Sequence, residues 1–414
     1  MSTTYIARFA DQMLDALMPE LPAIMLTGPR GCGKTTTAVR RAASTLRLDR
    51  PEQAEAFRTA PDAILAAQKE PVLIDEWQNV PESLGAVKRS VDSGVGGGRF
   101  LITGSVRSRL SDQGWPATGR VVPVTMYGLA QAEIEQAPDG SSTLMRLFSE
   151  AEPSPGALTG APQLTDYLDM AVRGGFPDAI GFGDLARAAW YEGYVEQLVH
   201  HDVSELDIVR DPTAMANLVR AVAFNTAGVP SIASLSEAAQ INGRTTQSYL
   251  DLLTALRIMD RLPAWGINRF NRMVKSPKYY LTDTGMAVYL AGDNRTGLLT
   301  SGTRLGRIID TFVMAQIRPL LTVHSPRINA FHLRDANGRH EVDLVLETAS
   351  GKIVGIEIKS AATVNAKDAR HLAWLRDELG DTFVRGIVLH TGNMAFPLGH
   401  KLWAMPIAAL WRSL

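Results

Sequence analysis

The chain has 414 residues, of which 45% are hydrophobic and 21% are charged, so it can build the cores of about two to four domains. Its net charge of −1 excludes an overall electrostatic field that draws it to nucleic acid, so such binding needs a local basic patch. A single cysteine excludes an internal disulfide framework and suits a reducing cytoplasm, and no stretch is long and apolar enough to span a membrane.

The first residues of the chain predict a helix and not a signal peptide. They carry acidic side chains and lack the continuous apolar core that a signal peptide needs. Ile6, Phe9, Met13 and Leu17 recur instead at the spacing of one helix face.

The segment LTGPRGCGKTTTAV, residues 26–39, contains the complete pattern G-x-x-x-x-G-K-[ST]. Its glycines allow successive backbone N–H groups to curl around an anion. Lys34 is expected to reach the β- and γ-phosphates of ATP, and the Thr35 hydroxyl is expected to bind Mg²⁺. An apolar run at 23–26 predicts a strand before the loop, and residues 36–43 predict a helix after it. The residues expected to bind the nucleotide are Gly28, Pro29, Arg30, Gly31, Cys32, Gly33, Lys34, Thr35 and Thr36.

A second motif, PVLIDEWQNVPE at residues 71–82, supplies the carboxylates that such a site needs. The apolar run 72–74 is typical of a strand buried on both faces, and it ends in Asp75 and Glu76. We expect Asp75 to hold Mg²⁺ and Glu76 to orient or polarise the attacking water.

A third strand is predicted in RFLITGS, residues 99–105, and Ser105 at its tip is the candidate sensor of the γ-phosphate. Arg120, just before another β-rich run, is a candidate arginine finger for a neighbouring subunit, which implies a homo-oligomer. Arg107 and Arg109 compete for this role, and an ordinary solvated arginine remains an equal alternative for each.

Composition predicts that the first domain occupies residues 1–135, because residues 136–162 are rich in Pro, Gly and Ser. A linker and helical segment is expected at 136–215, with a helix from 185 to 208. His200 and His201 are adjacent on that helix and point in different directions, so they are predicted not to be metal ligands.

Residues 216–295 are predicted to form a winged-helix-like domain. A short helix ends at Asn242-Gly243, and a second helix is expected to begin after Thr245, which can cap it. Both DNA contact through phosphates and packing against protein remain open for this segment. The basic residues that follow the two helices are Arg257, Arg261, Arg269, Arg272, Lys275 and Lys278.

The segment 296–414 is predicted to form a nuclease-like domain. Strands are expected in GRHEVDLVLE, residues 338–347, and KIVGIEIKSA, residues 352–361, which bring together Asp343, Glu357 and Lys359. Asp310 lies on a predicted helix. Such carboxylates can hold Mg²⁺ beside a scissile phosphate while the lysine serves the water, as in the D…E-x-K pattern of restriction enzymes and Holliday-junction resolvases. An amphipathic sheet with solvated charges is the alternative.

The order of these parts resembles the prokaryotic AAA-type ATPases that carry a C-terminal domain of unknown function, number 4143. The resemblance covers nearly the full length, and it implies a winged-helix segment and a restriction-endonuclease-like tail. Asp310 departs from the pattern, in which glutamate is usual, and its shorter side chain is expected to weaken a metal site. The motifs that carry the resemblance are Gly28–Thr35, Asp75–Gln78, Thr103–Ser105, Gly174–Pro177, KYYLTDTGMAVYL at 278–290, Glu341–Asp343 and Glu357–Lys359.

The sequence therefore predicts a multidomain α/β protein, with a P-loop parallel sheet followed by a winged-helix-like segment and a PD-(D/E)XK nuclease-like domain. Two functions remain open. In the first, ATP hydrolysis serves a nucleic-acid-directed module that is a metal-dependent nuclease. In the second, ATP controls a regulatory switch that binds DNA or a protein partner, and the nuclease-like domain is inactive.

Overall fold

The computed structural model describes residues 5–104, 117–137, 140–149, 151–199, 211–266, 275–324, 326–335 and 339–412. The chain forms two compact units. The first comprises Met1–Leu129 and Ala255–Arg257, and the second comprises Ala130–Thr254 and Ile258–Leu414.

The first unit alternates strands with helices, as the predicted motifs require. Its elements in chain order are α1 (Phe9–Leu17), β1 (Ala23–Thr27), α2 (Lys34–Val39), β2 (Ser44–Arg47), α3 (Pro51–Thr59), α4 (Pro61–Ala66), β3 (Val72–Asp75), α5 (Ser83–Ser93), β4 (Phe100–Thr103) and β5 (Val121–Thr125).

These strands form one parallel sheet in the order β2-β3-β4-β1-β5. All residues of β1, β3 and β4 are buried, because helices cover both faces of the sheet. Leu14 of α1 packs with Leu26 and Leu73 on one face, whereas Ile74 and Trp77 belong to the core on the other face. The predicted α/β class with a parallel sheet is confirmed, and the C-terminal ends of β1, β3 and β4 lie side by side.

The second unit contains helices, a two-stranded pair and a larger sheet. Its elements in chain order are α6 (Gln131–Ile134), α7 (Gly140–Phe148), β6 (Gly156–Ala157), α8 (Leu164–Arg173), α9 (Asp184–Gln197), α10 (Pro212–Phe224), α11 (Ile232–Ala239), α12 (Gly243–Ala255), β7 (Met259–Leu262), β8 (Lys278–Leu281), α13 (Thr284–Leu290), α14 (Arg295–Thr300), α15 (Gly302–Val323), β9 (Ile328–Arg334), β10 (Glu341–Thr348), β11 (Ile353–Ile358), α16 (Arg370–Leu379), β12 (Phe383–His390), β13 (Met394–Gly399) and β14 (Leu402–Pro406).

The larger sheet has the strand order β6-β13-β14-β12-β11-β10-β9. Strands β9, β10 and β11 are antiparallel, whereas β11, β12 and β14 run parallel. Leu344 of β10 pairs with Ile356 of the antiparallel strand β11. Asp343, one residue before Leu344, therefore lies opposite Glu357, one residue after Ile356. Residues opposite each other on antiparallel strands share a face, so this register brings the two carboxylates together.

Helices α11 and α12 occur where the helix-turn-helix was predicted, but the cap differs. The structure begins α12 at Gly243, and Asn242 Oδ1 accepts the Thr245 N–H at 2.9 Å. Asn242 therefore fills the role that the sequence assigned to Thr245, because it directly precedes the first helical residue, where a side-chain oxygen can accept an N–H group of the first turn.

Helix α15 runs through 22 residues and carries buried polar side chains along its length. Arg318 forms an ion pair with Asp260 at 2.8 Å, and Asp310 lies on the side of the helix that meets β8. Across the residues that the structure describes, no helix is long and apolar enough to cross a membrane.

Candidate functional site

The glycine loop between β1 and α2 is shaped by close approach to a neighbouring chain segment. A Cβ atom at Gly28, whose φ is 152°, would lie 2.0 Å from the Met126 carbonyl oxygen. Gly33, with φ 98°, turns the chain into α2. Side chains at these two positions would displace the loop, so the two glycines fix the path of the chain between β1 and α2.

Lys34 is buried beneath this loop. Its Nζ donates hydrogen bonds to the carbonyl oxygens of Gly28 at 3.0 Å and Pro29 at 2.8 Å. The ammonium is thus held at the loop by neutral acceptors and not by a carboxylate. An anion that enters the loop can attract this charge without first breaking an ion pair.

The Asp75 carboxylate accepts hydrogen bonds at the edge of the sheet where β3 and β4 end. Its Oδ1 accepts a hydrogen bond from the Thr35 hydroxyl at 2.7 Å and another from the buried Thr103 hydroxyl at 2.5 Å. A carboxylate and a hydroxyl so close to each other are the hard oxygen donors that Mg²⁺ prefers. Lys34, Thr35 and Asp75 therefore fit a nucleotide with its Mg²⁺.

Glu76 follows Asp75 in the left-handed region, with φ 55°. This conformation turns its side chain away from the path of the strand, and Gln78 Nε2 donates a hydrogen bond to Glu76 Oε2. The carboxylate is half-buried and oriented by an amide, as a group that positions a water requires.

Arg8 forms hydrogen bonds to the glycine loop and to a neighbouring segment, and the sequence motifs did not indicate this residue. Its guanidinium donates to the carbonyl oxygens of Cys32 at 2.8 Å and Tyr127 at 2.7 Å. Cys32 is fully buried beside Met126. No sequence motif marks a buried arginine that directly precedes a short helix, so only its contacts in the structure identify Arg8.

The remaining predicted residues of this unit have varied settings. Arg30, Gly31 and Thr36 are exposed on the loop and on α2. Arg120 is exposed and forms an ion pair with Asp92 at 2.8 Å, so it must leave this partner before it can reach a phosphate. The candidates Ser105, Arg107 and Arg109 lie outside the described residues, as do His200 and His201.

In the second unit, three carboxyl groups and two lysines lie together. We call Asp310, Asp343, Glu357, Lys278 and Lys359 the charge cluster. Lys278 Nζ lies 2.6 Å from Asp310 Oδ2 and 3.1 Å from Asp343 Oδ1, so one buried ammonium bridges two carboxylates.

Further hydrogen bonds fix these two carboxylates. The Tyr280 hydroxyl donates to Asp310 Oδ1 at 2.9 Å, and the Ile358 N–H donates to Asp343 Oδ2 at 3.0 Å. Burial raises the pKa of Asp310 to about 6, although the Lys278 ammonium opposes this shift. Burial also acts to raise the pKa of Asp343, but Lys278 and the Ile358 N–H outweigh it and hold that pKa below its usual value.

Glu357 has a different environment within the charge cluster. Its Oε2 accepts a hydrogen bond from Lys359 Nζ at 2.9 Å, whereas its Oε1 is buried and has no hydrogen-bond partner in the described ranges. Burial and the nearby Asp343 charge raise the pKa of Glu357 to about 8. The Lys359 ammonium, which lies 2.9 Å from Glu357 Oε2, opposes this rise.

This arrangement differs from the magnesium site predicted from Asp343, Glu357 and Asp310. Among the residues that the structure describes, no group of three or more His, Cys, Asp or Glu side chains is arranged to hold a metal ion. The physical reason is Lys278, whose ammonium stands between Asp310 and Asp343 where a divalent cation would need both carboxylates. The charge cluster in this form does not fit Mg²⁺.

The raised pKa of Glu357 predicts a pH dependence of stability. Between its ordinary value of 4.5 and about 8, the folded state retains a proton that the unfolded state releases. The free energy of unfolding should therefore fall as pH rises through this range, by at most about 1.4 kcal/mol per pH unit. Glu357→Gln should remove this component. Urea unfolding at pH 5.5 and 7.5 measures it.

The exposed Glu378 provides a matched control for that experiment. Glu378→Gln should keep the pH dependence of the wild type, because it removes a carboxyl group that already lies in solvent. If Glu357→Gln and Glu378→Gln show the same dependence on pH, the buried protonated state of Glu357 is contradicted.

Comparisons with known proteins assign parts of the chain to families. Residues 20–135 match the model of an AAA domain, and residues 305–410 match a domain of unknown function (DUF4143). Residues 164–297 match a second domain of unknown function (DUF8612). The first two assignments confirm the family resemblance that the motifs indicated.

Full-length similarity extends to two mycobacterial proteins. The uncharacterized protein Rv2008c of Mycobacterium tuberculosis and the uncharacterized protein Mb2031c of Mycobacterium bovis are each 28% identical over 404 residues, which cover 96% of this chain and 83% of theirs.

Two solved structures show weak similarity. A RuvB mutant from Thermotoga maritima aligns with 61% of this chain and 86% of its own, at 15% identity and a TM-score of 0.24. DnaA from Aquifex aeolicus bound to AMPPCP aligns with 59% of this chain and 84% of its own, at 14% identity and a TM-score of 0.23. At such scores neither structure adds to the assignment.

Proposed function

We propose that this chain, an AAA-type ATPase with a C-terminal domain of unknown function (DUF4143), binds ATP with Mg²⁺ at its glycine loop and hydrolyses it. The observation that carries the proposal is Asp75, whose carboxylate accepts the Thr35 hydroxyl beside the loop that holds Lys34. Phosphate release from ATP by the full chain, with Mg²⁺ present or chelated, tests it. Release should stop when Mg²⁺ is removed.

Each residue of this site has a distinct role in the proposal. Lys34 binds the β- and γ-phosphates, and Thr35 and Asp75 hold Mg²⁺, directly or through a water. When bound, Mg²⁺ neutralises charge that develops on the transferred phosphate. Glu76 accepts a hydrogen bond from the attacking water, and Gln78 keeps the Glu76 carboxylate in place.

For the second unit we propose a regulatory module, controlled by ATP, in which the nuclease-like domain is inactive. The supporting observation is the bridge of Lys278 between Asp310 and Asp343, because it uses the carboxylates that a catalytic metal needs. The two lysines of the charge cluster pair with all three of its carboxyl groups, Lys278 with Asp310 and Asp343 and Lys359 with Glu357. The module would then act through binding and not through cleavage.

A metal-dependent nuclease is the second candidate, and specific observations favour it. In chain order this domain has a helix, three antiparallel strands, a second helix and a parallel strand, which are α15, β9, β10, β11, α16 and β12. Asp343 and Glu357 lie on adjacent strands of this series. The partnerless Oε1 of Glu357 is an oxygen that a metal could use. In this candidate, Lys278 must first leave the carboxylates.

Replacing Lys278 separates the two candidates. Lys278→Gln removes the bridging charge but retains hydrogen-bond donors, so Asp310 and Asp343 become available to a divalent cation. We expect no Mn²⁺-dependent cleavage of circular DNA by the wild type, and Mn²⁺ binding at least about tenfold tighter in Lys278→Gln, measured by calorimetry without nucleotide. Lys352→Met, which removes an exposed lysine of the same domain, should resemble the wild type.

Two results of this experiment have opposite meanings. Mn²⁺-dependent cleavage by the wild type that disappears in Asp343→Asn would contradict the regulatory proposal and support the nuclease. Mn²⁺ affinity that is equal in the wild type and in Lys278→Gln would contradict the role given to the lysine bridge.

A winged helix in the second unit remains a proposal. Helices α11 and α12 followed by the antiparallel pair β7–β8 support it. The basic surface expected there is reduced, since Lys278 is buried and Arg261 forms an ion pair with Asp251 at 2.6 Å. Arg269 and Arg272 lie outside the described residues, and Lys275 is exposed. DNA contact by this segment therefore stays a prediction.

A further inference from the structure

A cavity of about 910 Å³ opens in the second unit, away from the charge cluster. Its walls come from α8, α9, α13 and α14, which the nucleotide site does not use. Its volume lies within the range of pockets that hold small molecules. No residue of the cavity belongs to the motifs that predict ATP binding or metal binding.

Arg173, at the end of α8, lines this cavity and is partly buried. Its Nε and Nη2 atoms are buried and have no hydrogen-bond partner among the residues that the structure describes. These two N–H groups form one edge of the planar guanidinium, which can pair with two oxygens of a single oxyanion. Arg187 also lines the cavity, and its buried Nε has no partner within the described part of the chain.

The carboxylates of the cavity are already engaged within the protein. Asp169 pairs with Arg295 at 3.2 Å, and Asp184 pairs with Arg187 at 3.0 Å. The remaining two are Asp293, which pairs with Arg304, and Asp166, which accepts the Gln163 N–H at 2.8 Å. Among the cavity residues that the structure describes, the buried polar atoms without a partner belong to Arg173 and Arg187, and a partly buried guanidinium gains from an anion that pairs with it.

Asp283 holds the wall beside Arg173 in a fixed position. Its carboxylate accepts the Gly175 N–H at 2.7 Å, the Met286 N–H at 2.8 Å and the Tyr191 hydroxyl at 2.8 Å. These bonds tie the turn after α8 to the start of α13 and to α9. Arg173 thus projects from a rigid frame, so an oxyanion would meet donors that are already in place.

We propose that this cavity binds a small molecule through a phosphate or carboxylate group whose oxygens pair with Arg173 and Arg187. Burial and the neighbouring Arg187 charge lower the pKa of Arg173, and the Glu135 charge provides only partial compensation. A bound oxyanion would supply that compensation. The ligand site is distinct from the glycine loop in sequence and in the chemistry that holds the anion.

Binding of simple oxyanions to the full chain tests this proposal. The chain should carry Lys34→Ala, so that the glycine loop does not take up phosphate. Calorimetry with inorganic phosphate, pyrophosphate and succinate distinguishes phosphate from carboxylate ligands. We expect at least one to bind with saturation, and Arg173→Met added to Lys34→Ala to weaken that binding at least about 30-fold, since one partner of a buried charge pair is lost.

Arg295→Met is the matched control, because Arg295 lines the same cavity but is half-exposed and already paired with Asp169. It should change the affinity less than about threefold. Arg173→Lys keeps the charge but loses the two-donor edge, so it should bind with an intermediate affinity.

Thermal unfolding measurements show whether each variant is folded. Without ligand, Arg173→Met should unfold at the same temperature as Lys34→Ala alone or higher, because it removes a partly buried cation that is only partly compensated. If Arg173→Met fails to fold, the affinity of Arg173→Lys decides. The proposal is overturned if none of the three anions binds to the Lys34→Ala chain, or if both Arg173 variants that fold bind as tightly as it does.

Discussion

Lys34→Ala is expected to raise the Kd for ATP at least about 30-fold, because it removes the buried ammonium that the glycine loop holds for the phosphates. Among the described residues, the acceptors of this ammonium are the loop carbonyls of Gly28 and Pro29, which are neutral, so the phosphates gain its attraction without breaking an ion pair. Calorimetric titration of the full chain with ATP and Mg²⁺ measures the change.

Lys88→Ala is the matched control for the loss of a lysine in the same unit. Lys88 lies on α5 and pairs with Asp92 at 3.1 Å on the surface. An exposed pair contributes little, so this variant should bind ATP as the wild type does and keep its stability within about 1 kcal/mol. Equal Kd values for Lys34→Ala and the wild type would remove the glycine loop as the nucleotide site.

Glu76→Gln is expected to lower kcat by about 10²- to 10⁴-fold while the Kd for ATP changes less than about threefold. The carboxylate lies at the end of β3 beside Asp75, where an attacking water would need an acceptor. Glutamine keeps the size and the contact with Gln78 but cannot accept the water's proton. Phosphate release under saturating ATP measures kcat, and calorimetry measures Kd.

Glu82→Gln controls for the loss of one negative charge from this part of the unit. Glu82 is exposed just before α5. Its replacement should leave both kcat and Kd unchanged. If Glu76→Gln hydrolyses ATP at the wild-type rate, another group must accept the proton of the attacking water. A large loss of ATP affinity in this variant would instead make Glu76 a binding residue.

The nucleotide site was largely predictable because its motifs are local. Gly28 to Thr35 are continuous in sequence, and Asp75 follows an apolar run that the structure buries on both faces. Parallel strands with their C-terminal ends at one edge then bring Thr35, Asp75 and Thr103 together. The hydrogen bond from Gln78 to Glu76 follows from a left-handed backbone at Glu76, which no sequence pattern indicated.

The charge cluster was predictable only in part. Alternation within β10 and β11 placed Asp343 and Glu357 on one face, as the register of the two strands now does. The bridge by Lys278 could not be predicted, because Lys278 is 32 residues from Asp310 and 65 from Asp343. Its run of basic neighbours favoured a solvated position, whereas the burial of the whole of β8 makes it an internal cation.

The cavity at Arg173 left no signal in the sequence. Its donors come from α8 and α9, and the bonds of Asp283 that fix its wall span up to 108 residues. The sequence marked the Gly174–Pro177 turn next to it and the segment 278–290, which contains the lining residues Gly285, Val288 and Tyr289, but neither motif indicated a cavity. Unsatisfied hydrogen bonds become visible only when the partners of every buried group are known.

Phosphate release from ATP by the full chain with Mg²⁺, compared with the same chain carrying Lys34→Ala, tests the central claim most directly. The account predicts steady release by the wild type and none above background by the variant, with both chains folded by circular dichroism. Equal release by the two chains, or no release by the folded wild type, would contradict the claim that the glycine loop, Asp75 and Glu76 form an ATPase site.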